Sequence, residues 1–300
     1  MQKAYLIDAS IYVFRAWFTL PDTLVNADDE PVGAVYGFAD FLLNLLERER
    51  PDYLLCAFDE SLNDSAYRHQ IYPDYKANRE SAPDVLKRQF ALCRQLLTKL
   101  GIYHQGHPAY EADDIIGSAS VQLRHQGLRN MIISGDKDLT QLVRGQDLWW
   151  EYGRDQQLCQ NKVKDKFGVW PDQIADLLAL AGDKVDNIPG VPGIGAKTAA
   201  KLLVKYGTLD NLLANLSEIA NMKFRGAKRT QDLLITHQAQ ARLSKQLTDI
   251  VLDLNLGWTQ AIQLKPDLPD IHDAVAFMRY LGFGQQRINR WHRLQQSTKA

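Results

Sequence analysis

The first half of the chain alternates short apolar runs with longer segments of helical periodicity. Continuous apolar runs of strand length occupy residues 5–7, 53–58, 131–133 and 148–150. Between them, apolar side chains recur every three to four positions over residues 32–49, 85–100 and 111–126, which predicts helices. Strands that are apolar throughout and separated by helices are typical of a parallel sheet covered on both faces.

The second half shows helical patterns and no strand pattern from about residue 171 onward. Helices are predicted over residues 171–181, 196–206, 227–247 and 271–281. We therefore predict an α/β fold with a mostly parallel central sheet flanked by helices in residues 1–165. A helical part is predicted to follow in residues 166–300.

Aspartates follow three of the predicted buried strands. Asp8 and Asp59 each end an apolar run, and Asp136 and Asp138 come just after the third. Because the carboxyl ends of parallel strands share one edge of a sheet, we expect these four side chains to meet in one crevice. A single aspartate at such a place is usually a cap or turn residue. Repetition of the pattern at three strands favours a common function.

Two further acidic groups extend this set. The helix over 111–126 opens with Glu111, Asp113 and Asp114, and a second pair follows the helix that ends near residue 182. Helix dipoles favour acids at a first turn and turns favour aspartate, so each group alone has a structural explanation. Together the carboxylates are numerous enough for two divalent ions, and oxygen ligands favour magnesium or manganese. The set is Asp8, Asp59, Glu111, Asp113, Asp114, Asp136, Asp138, Asp183 and Asp186.

A stretch rich in basic and aromatic side chains lies between two predicted elements, at residues 67–79. It contains three tyrosines, two arginines and a lysine, and Pro73 interrupts any helix there. Arginine and lysine neutralise phosphates, and tyrosine rings stack on unpaired bases. The alternative is an ordinary surface loop.

A glycine-rich loop at residues 187–198 precedes a predicted helix. It is not a nucleotide-binding P-loop, because Ala196 separates Gly195 from Lys197 and no strand precedes it. Helices on both sides favour a helix-hairpin-helix element over about residues 171–206, whose backbone N–H groups hold a phosphate without reading bases. Lys197, Lys201 and Lys205 form a basic stripe on its second helix, or else a solvated face.

Composition narrows the function classes only a little. The formal net charge of −1 does not by itself indicate nucleic-acid binding, although acids gathered in one site would leave a more basic remainder. The three cysteines form no CxxC pair, which argues against a zinc site and a disulfide framework. No apolar run approaches the roughly 18–20 residues that span a bilayer. We expect a cytoplasmic protein with no membrane partner.

Six segments, in order, resemble the motifs of the structure-specific 5′-nuclease (flap endonuclease) family, which includes the 5′-nuclease domain of bacterial DNA polymerase I. They lie at residues 6–8, 57–59, 75–79, 110–114, 134–139 and 182–195, and the resemblance covers about residues 4–206. One departure is Ala9, where family members commonly have glycine. Whether the chain is a stand-alone enzyme or a fragment stays open.

The resemblance implies a PIN-like core and a two-metal site that uses magnesium or manganese. It also implies an arch or gateway at about residues 64–90, and a helix-three-turn-helix clamp on duplex DNA. All nine carboxylates would bind metal, directly or through water. Lys76 and Arg79 would contact the scissile phosphate, Arg68 would assist, and Tyr75 would stack on a base. The residues implied to contact DNA in the clamp are Gly190, Gly193, Gly195, Lys197, Thr198 and Lys201, with potassium bound near Val191 and Ile194.

The expected substrate is DNA with 5′ ends or 5′ flaps, handled by a monomer. Two other functions stay open from the residues alone. One is a DNA-junction binding module with little catalysis, and the other is a related ribonuclease. Clustered carboxylates without cations gain nothing for a module that only binds, which favours the nuclease.

Overall fold

The computed structural model describes residues 2–60, 66–267 and 272–299. Contacts divide the chain into two compact units, each assembled from separate stretches of sequence. The elements in chain order are β1 (Lys3–Asp8), α1 (Ala9–Thr19), α2 (Gly33–Glu49), β2 (Tyr53–Asp59), α3 (Tyr67–Ile71), α4 (Asp84–Lys99), β3 (Tyr103–His107), α5 (Ala112–His125), β4 (Arg129–Ile133), β5 (Leu148–Glu151), β6 (Gln156–Leu158), α6 (Gln160–Phe167), α7 (Ile174–Ala181), α8 (Ala196–Tyr206), α9 (Leu209–Ala214), α10 (Ala227–Thr236), α11 (Gln238–Thr248), α12 (His272–Tyr280) and α13 (Gln285–Lys299).

The first unit comprises Met1–Glu60, Ser81–Gly135 and Leu252–Ala300 and contains parallel strands in the order β3-β2-β1-β4. In register, Asp8 lies opposite Ala57 of β2, and Ile7 lies opposite Ile133 of β4. The interior of β1 and β2 is almost fully buried, as expected for strands covered by helices. The predicted mostly parallel sheet with flanking helices is confirmed.

The second unit comprises Ser61–Glu80 and Asp136–Val251. It contains α3, the short antiparallel pair β5–β6, and the helices α6 to α11. From Pro171 to the end of the described chain the elements are helical, as predicted, apart from an isolated bridge between Asp183 and Ile188. The helices α7 and α8 flank the glycine-rich loop, which is the arrangement predicted for residues 171–206.

Some predicted elements differ from those observed. The single helix predicted over residues 227–247 is wrong, because the chain leaves helical geometry at His237 (φ −113°, ψ 25°) and forms α10 and α11. The strands β3 and β6 were not predicted. Residues 64 and 65 of the predicted arch, and residue 271 of the last predicted helix, lie outside the described residues. The predicted division at residues 165 and 166 stays a prediction.

One turn in the glycine-rich loop needs a particular residue. Gly190 has φ 59°, and a Cβ added there would lie well inside van der Waals contact of the backbone of Gly182. The close approach brings the end of α7 against the start of the loop, where Asp183 and Ile188 exchange backbone hydrogen bonds of 3.0 and 2.7 Å. Only glycine combines a left-handed φ with this lack of space.

Among the helices that the structure describes, none is both long and apolar enough to cross a membrane.

We predict that Gly190→Ala lowers the free energy of unfolding by about 2 kcal/mol or more, because it adds a clash to a strained φ. Urea unfolding followed by circular dichroism measures the loss. The matched control is Gly195→Ala, since a methyl group added to Gly195 would have no atom within 4 Å and the φ of this residue is −94°. Because Gly195 is the N-cap of α8, where alanine is less favourable than glycine, that variant should lose about 1 kcal/mol or less. Equal stability of the two variants would contradict this explanation of the loop.

Candidate metal centre and DNA interface

The first unit holds two predicted ligands at the carboxyl ends of adjacent strands. Asp8 caps α1, and its Oδ2 accepts a hydrogen bond of 2.8 Å from the Ser134 hydroxyl just after β4. Asp59 ends β2; its N–H donates to the Ser10 hydroxyl (2.8 Å), and its Oδ1 accepts from the Ala112 N–H (2.9 Å). These bonds connect three strand ends and the start of α5. The expected shared edge is therefore present within this unit.

Alanine at position 9, where the family commonly has glycine, is compatible with the hydrogen bonds of Asp8. Ala9 is completely buried at the start of α1, so its methyl group is accommodated there. Asp8 keeps its cap bond to the Ile11 N–H (3.4 Å) and its bond from Ser134.

The acids at the start of α5 serve the helix as well. Glu111 and Asp114 form a reciprocal capping box, in which the Glu111 N–H donates to Asp114 Oδ2 at 3.1 Å. Asp114 is completely buried and Glu111 nearly so, whereas Asp113 is half-buried. A structural explanation thus holds for two of these acids. Their metal-binding role stays a prediction.

The second unit holds the remaining four predicted ligands, beginning with Asp136 and Asp138. The Asp138 N–H donates to Asp136 Oδ1 at 2.8 Å. Asp138 Oδ1 is buried and has no hydrogen-bond partner among the described residues. Burial raises the pKa of Asp136, and burial together with the charge of Asp136 raises the pKa of Asp138 well above its usual range. Ionisation of either carboxylate therefore costs free energy, and Asp138 Oδ1 receives no hydrogen bond that would offset this cost.

The other two carboxylates of the second unit already have cationic partners. Lys137 Nζ donates to Asp183 Oδ2 at 2.9 Å, and the Val185 N–H donates to Oδ1 at 2.7 Å. Burial alone would raise the pKa of Asp183, but these bonds lower it below its ordinary value. Asp186 forms a short ion pair with Arg79 and lies 3.9 Å from Lys76 Nζ.

The backbone also holds Lys76 beside Asp186. The Lys76 N–H donates to the Asp186 carbonyl at 3.0 Å, and Lys76 has the left-handed φ of 55°. A lysine in this conformation is strained and is found where surrounding contacts require it. Asn78 and Asn187 add bonds of 2.9 and 2.6 Å between the same two stretches of chain.

Two residues predicted to act on DNA make contacts within the protein. Tyr75 is 2% exposed, packs with Ile188 and Leu247, and has Lys76 Nζ 4.9 Å from its ring centre. The ring of Tyr75 therefore packs within this unit, and its stacking on a base stays a prediction. Arg68 is 4% exposed, and its guanidinium donates to the carbonyls of Leu247 (3.0 Å) and Asp249 (2.8 Å). Its charge caps the end of α11 and holds α3 against it, which is a structural role.

The glycine-rich loop presents part of the predicted DNA contacts to solvent. Gly193, Gly195, Lys197 and Lys201 are exposed, and Thr198 is half-buried with its N–H bonded to the Gly195 carbonyl. Gly190 is different: it is buried, and its N–H donates to the Ser244 hydroxyl at 3.1 Å. The N–H of Gly190 is therefore used within the protein. Gly190 contributes to the loop by allowing its backbone to approach that of Gly182 closely.

Other predicted residues of the glycine-rich loop and α8 also make contacts within the protein. Lys205 pairs with Glu218 at 3.2 Å, and Lys201 Nζ lies 5.9 Å from the ring centre of Phe224. Val191 and Ile194, near which potassium was expected, have buried side chains, so only their backbone carbonyls could face an ion. The Val191 carbonyl accepts from the Ile194 N–H at 3.0 Å.

Across the described ranges, no three His, Cys, Asp or Glu side chains lie close enough together to hold a metal ion. In the second unit, Asp183 and Asp186 form ion pairs with Lys137 and Arg79. The residues nonetheless fit a divalent cation of the magnesium type. The donors are oxygens, and the buried, unpartnered Asp138 Oδ1 lacks the positive charge that a cation would supply.

Three positioning residues were not identified from the sequence. Ser10 and Ser134 hold Asp59 and Asp8, and Lys137 holds Asp183. Their positions in the sequence could have indicated them, because each lies within two residues of an aspartate in the predicted set.

Comparison with known proteins agrees with the fold. Residues 3–168 match the family model of the 5′-3′ exonuclease N-terminal resolvase-like domain, and residues 169–270 match that of the 5′-3′ exonuclease C-terminal SAM fold. Two solved structures share the fold. T5 5′-exonuclease with bound zinc has TM-score 0.65 and 18% identity over 97% of both chains. The catalytic core of Rad2 in complex with DNA substrate has TM-score 0.65 and 15% identity, covering 98% of this chain and 91% of that one.

The chain is similar in sequence to 5′-3′ exonucleases and to part of the longer DNA polymerase I proteins. A 5′-3′ exonuclease from Aquifex aeolicus (strain VF5) is 39% identical, over 89% of each chain. A DNA polymerase I from Bacillus caldotenax is 41% identical over 94% of this chain, which spans only 32% of that longer relative. Both family models together cover most of the chain. The chain is therefore a nuclease of the 5′-3′ exonuclease family.

Proposed function

We propose that the chain hydrolyses phosphodiester bonds at 5′ ends and 5′ flaps of DNA, with two divalent cations, magnesium or manganese, as cofactors. Family membership supports the reaction, and solved relatives are described with metal ions and with DNA. The polymerase activity of the longer relatives is not part of the proposal, since this chain spans about a third of their length. We further propose a cytoplasmic monomer that serves DNA replication and repair.

The Asp136–Asp138 pair carries this proposal. The two carboxylates are neighbours with raised pKa values, and the buried Oδ1 of Asp138 receives no hydrogen bond from the described residues, so a bound cation would stabilise their ionised forms. Divalent cations held by these acids would supply positive charge to them, to an attacking water molecule and to the leaving oxygen. Asp183 and Asp186 complete the ligands offered by this unit. Asp8, Asp59, Glu111, Asp113 and Asp114 are the ligands proposed from the first unit.

Lys76 and Arg79 are proposed to bind the scissile phosphate. Both cations lie beside Asp186, and the Arg79 side chain is half exposed. A phosphate offers them the same pair of oxygen acceptors as the carboxylate does. They would thus exchange Asp186 for the phosphate and stabilise the charge that develops on its oxygens.

The loop before α8 is proposed to hold the duplex. Exposed Gly193 and Gly195 leave the amino end of α8 open to a phosphate, and Lys197, Thr198 and Lys201 add side-chain contacts. Such contacts hold the DNA backbone and carry no base information, which suits selection by shape. Carbonyls of Val191 and Ile194 are the proposed potassium ligands.

Asp136→Ala should lower magnesium-dependent cleavage of a labelled 5′-flap duplex by at least about a thousandfold, the scale on which loss of one preorganised charge acts. Gel analysis of the products measures it. Asp210→Asn, which removes an exposed carboxylate paired with Arg242, serves as the control and should cut normally. Cutting by Asp136→Ala at the normal rate would contradict the proposal.

Tight flap binding by the parent chain without any turnover in magnesium would favour a junction-binding module, and faster cutting of a matched RNA flap would favour a ribonuclease.

Arg79→Ala and Lys76→Ala should each lower single-turnover cleavage by about a hundredfold or more, because each removes charge from the phosphate in the transition state. Flap binding in calcium, measured by fluorescence anisotropy, should change by less than about fivefold, since the clamp supplies most of the affinity. Lys184→Ala removes an exposed lysine nearby and serves as the control. An equal loss of binding and cleavage in the two variants would show that these residues act in binding alone.

Asp138→Asn should stabilise the metal-free protein in EDTA at pH 7. Burial and the charge of Asp136 raise the pKa of Asp138 in the folded state, so its ionisation favours unfolding. The stabilising effect should be largest above the folded-state pKa and vanish below the ordinary aspartate range, where both states are protonated. Urea unfolding from pH 3 to pH 8 measures this, with exposed Asp210→Asn as the control. Destabilisation by Asp138→Asn at pH 7 would contradict this explanation of the raised pKa.

A further inference from the structure

Lys137 occupies an unusual place between two predicted metal ligands and against a third. It lies between Asp136 and Asp138 in sequence, and its ammonium donates to Asp183 Oδ2 at 2.9 Å. The Asp183 side chain is only 7% exposed, whereas that of Lys137 is 52% exposed. The acid is therefore part of the interior, and the lysine reaches it from the solvent side.

The backbone fixes the acid and leaves the lysine side chain able to move. Asp183 Oδ1 accepts from the Val185 N–H at 2.7 Å, and the Asp183 backbone is paired with that of Ile188. The Lys137 carbonyl accepts from both the N–H and the hydroxyl of Thr140, so its main chain is also held. The Lys137 side chain is half exposed, so its aliphatic stem has room to carry the ammonium into water.

We propose that Lys137 is a stand-in cation, whose ammonium neutralises Asp183 while the metal position is empty and leaves it when a divalent ion binds. This inference rests on the proposed function, because it assigns Asp183 to that metal position. The ion pair stabilises the metal-free protein and competes with the metal. Lys137 therefore sets the metal affinity of the site, as a positioning residue that touches neither substrate nor reacting atoms.

The test is a titration of the protein with manganese alone, without DNA, in which free ion is measured by electron paramagnetic resonance. Lys137→Met keeps the stem and removes the competing charge, so it should bind the tightest ion about three- to tenfold more strongly, the worth of one partly exposed charged hydrogen bond. Lys137→Arg keeps the charge and should bind within about twofold of the parent. Lys184→Met removes the same charge one residue from Asp183 without touching the ion pair, and it should also stay within about twofold.

Unchanged or weaker binding by Lys137→Met would overturn the inference. So would an equal gain in Lys184→Met, since that would show a general effect of net charge. If the parent binds no manganese, the proposed function fails together with the inference. If the parent binds manganese and Lys137→Met shows no gain, the inference fails alone.

A second measurement uses the unaltered chain. In protein labelled with 15N-lysine, the Lys137 ammonium signal, identified by its loss in Lys137→Arg, should move to the position of solvated lysines as magnesium is added. Retention of its metal-free chemical shift at saturating magnesium would overturn the inference, whatever the stability of the variants.

Discussion

The candidate site depends on one interaction, the electrostatic attraction between buried carboxylates and nearby positive charges. An ionised carboxylate loses several kcal/mol of hydration when it is buried, and a neighbouring acid adds repulsion. In the second unit, Lys137 and Arg79 compensate Asp183 and Asp186. Burial raises the pKa values of Asp136 and Asp138, and Asp138 Oδ1 receives no hydrogen bond from the described residues. The proposed metal site follows from this imbalance of charge, which exists before any substrate binds.

Hydrogen bonds from the backbone and from small side chains hold the acids of the predicted set in place, although their burial costs hydration free energy. Ser134 holds Asp8, and the N–H of Ala112 holds Asp59, each at the end of a parallel strand. In the second unit, the pairing of Asp183 with Ile188 depends on the close approach that Gly190 permits. Ligands fixed in advance lose little conformational entropy when an ion binds, which is a general requirement of catalytic metal sites.

The sequence was sufficient for the main elements because their apolar patterns are long and regular. The edge strand β3 escaped prediction because its residues 103–107 are mostly polar and half-buried. The break at His237 escaped because apolar positions continue in phase across it, as Leu234 and Ala241 show. Aspartates after strands were predictable from topology. The burial of Arg68 and Tyr75 was not, because it depends on packing against α11 and its neighbours, which are distant in sequence.

Anomalous diffraction from crystals soaked in manganese is the sharpest single test, because it locates the cation that the poorly compensated acids require. We predict a strong peak within direct ligand distance of Asp138 Oδ1, about 2.0–2.3 Å for an ion of this class, and in contact with Asp136. Manganese bound elsewhere on the protein, with Asp136 and Asp138 still lacking an ion at saturating concentration, would refute the requirement.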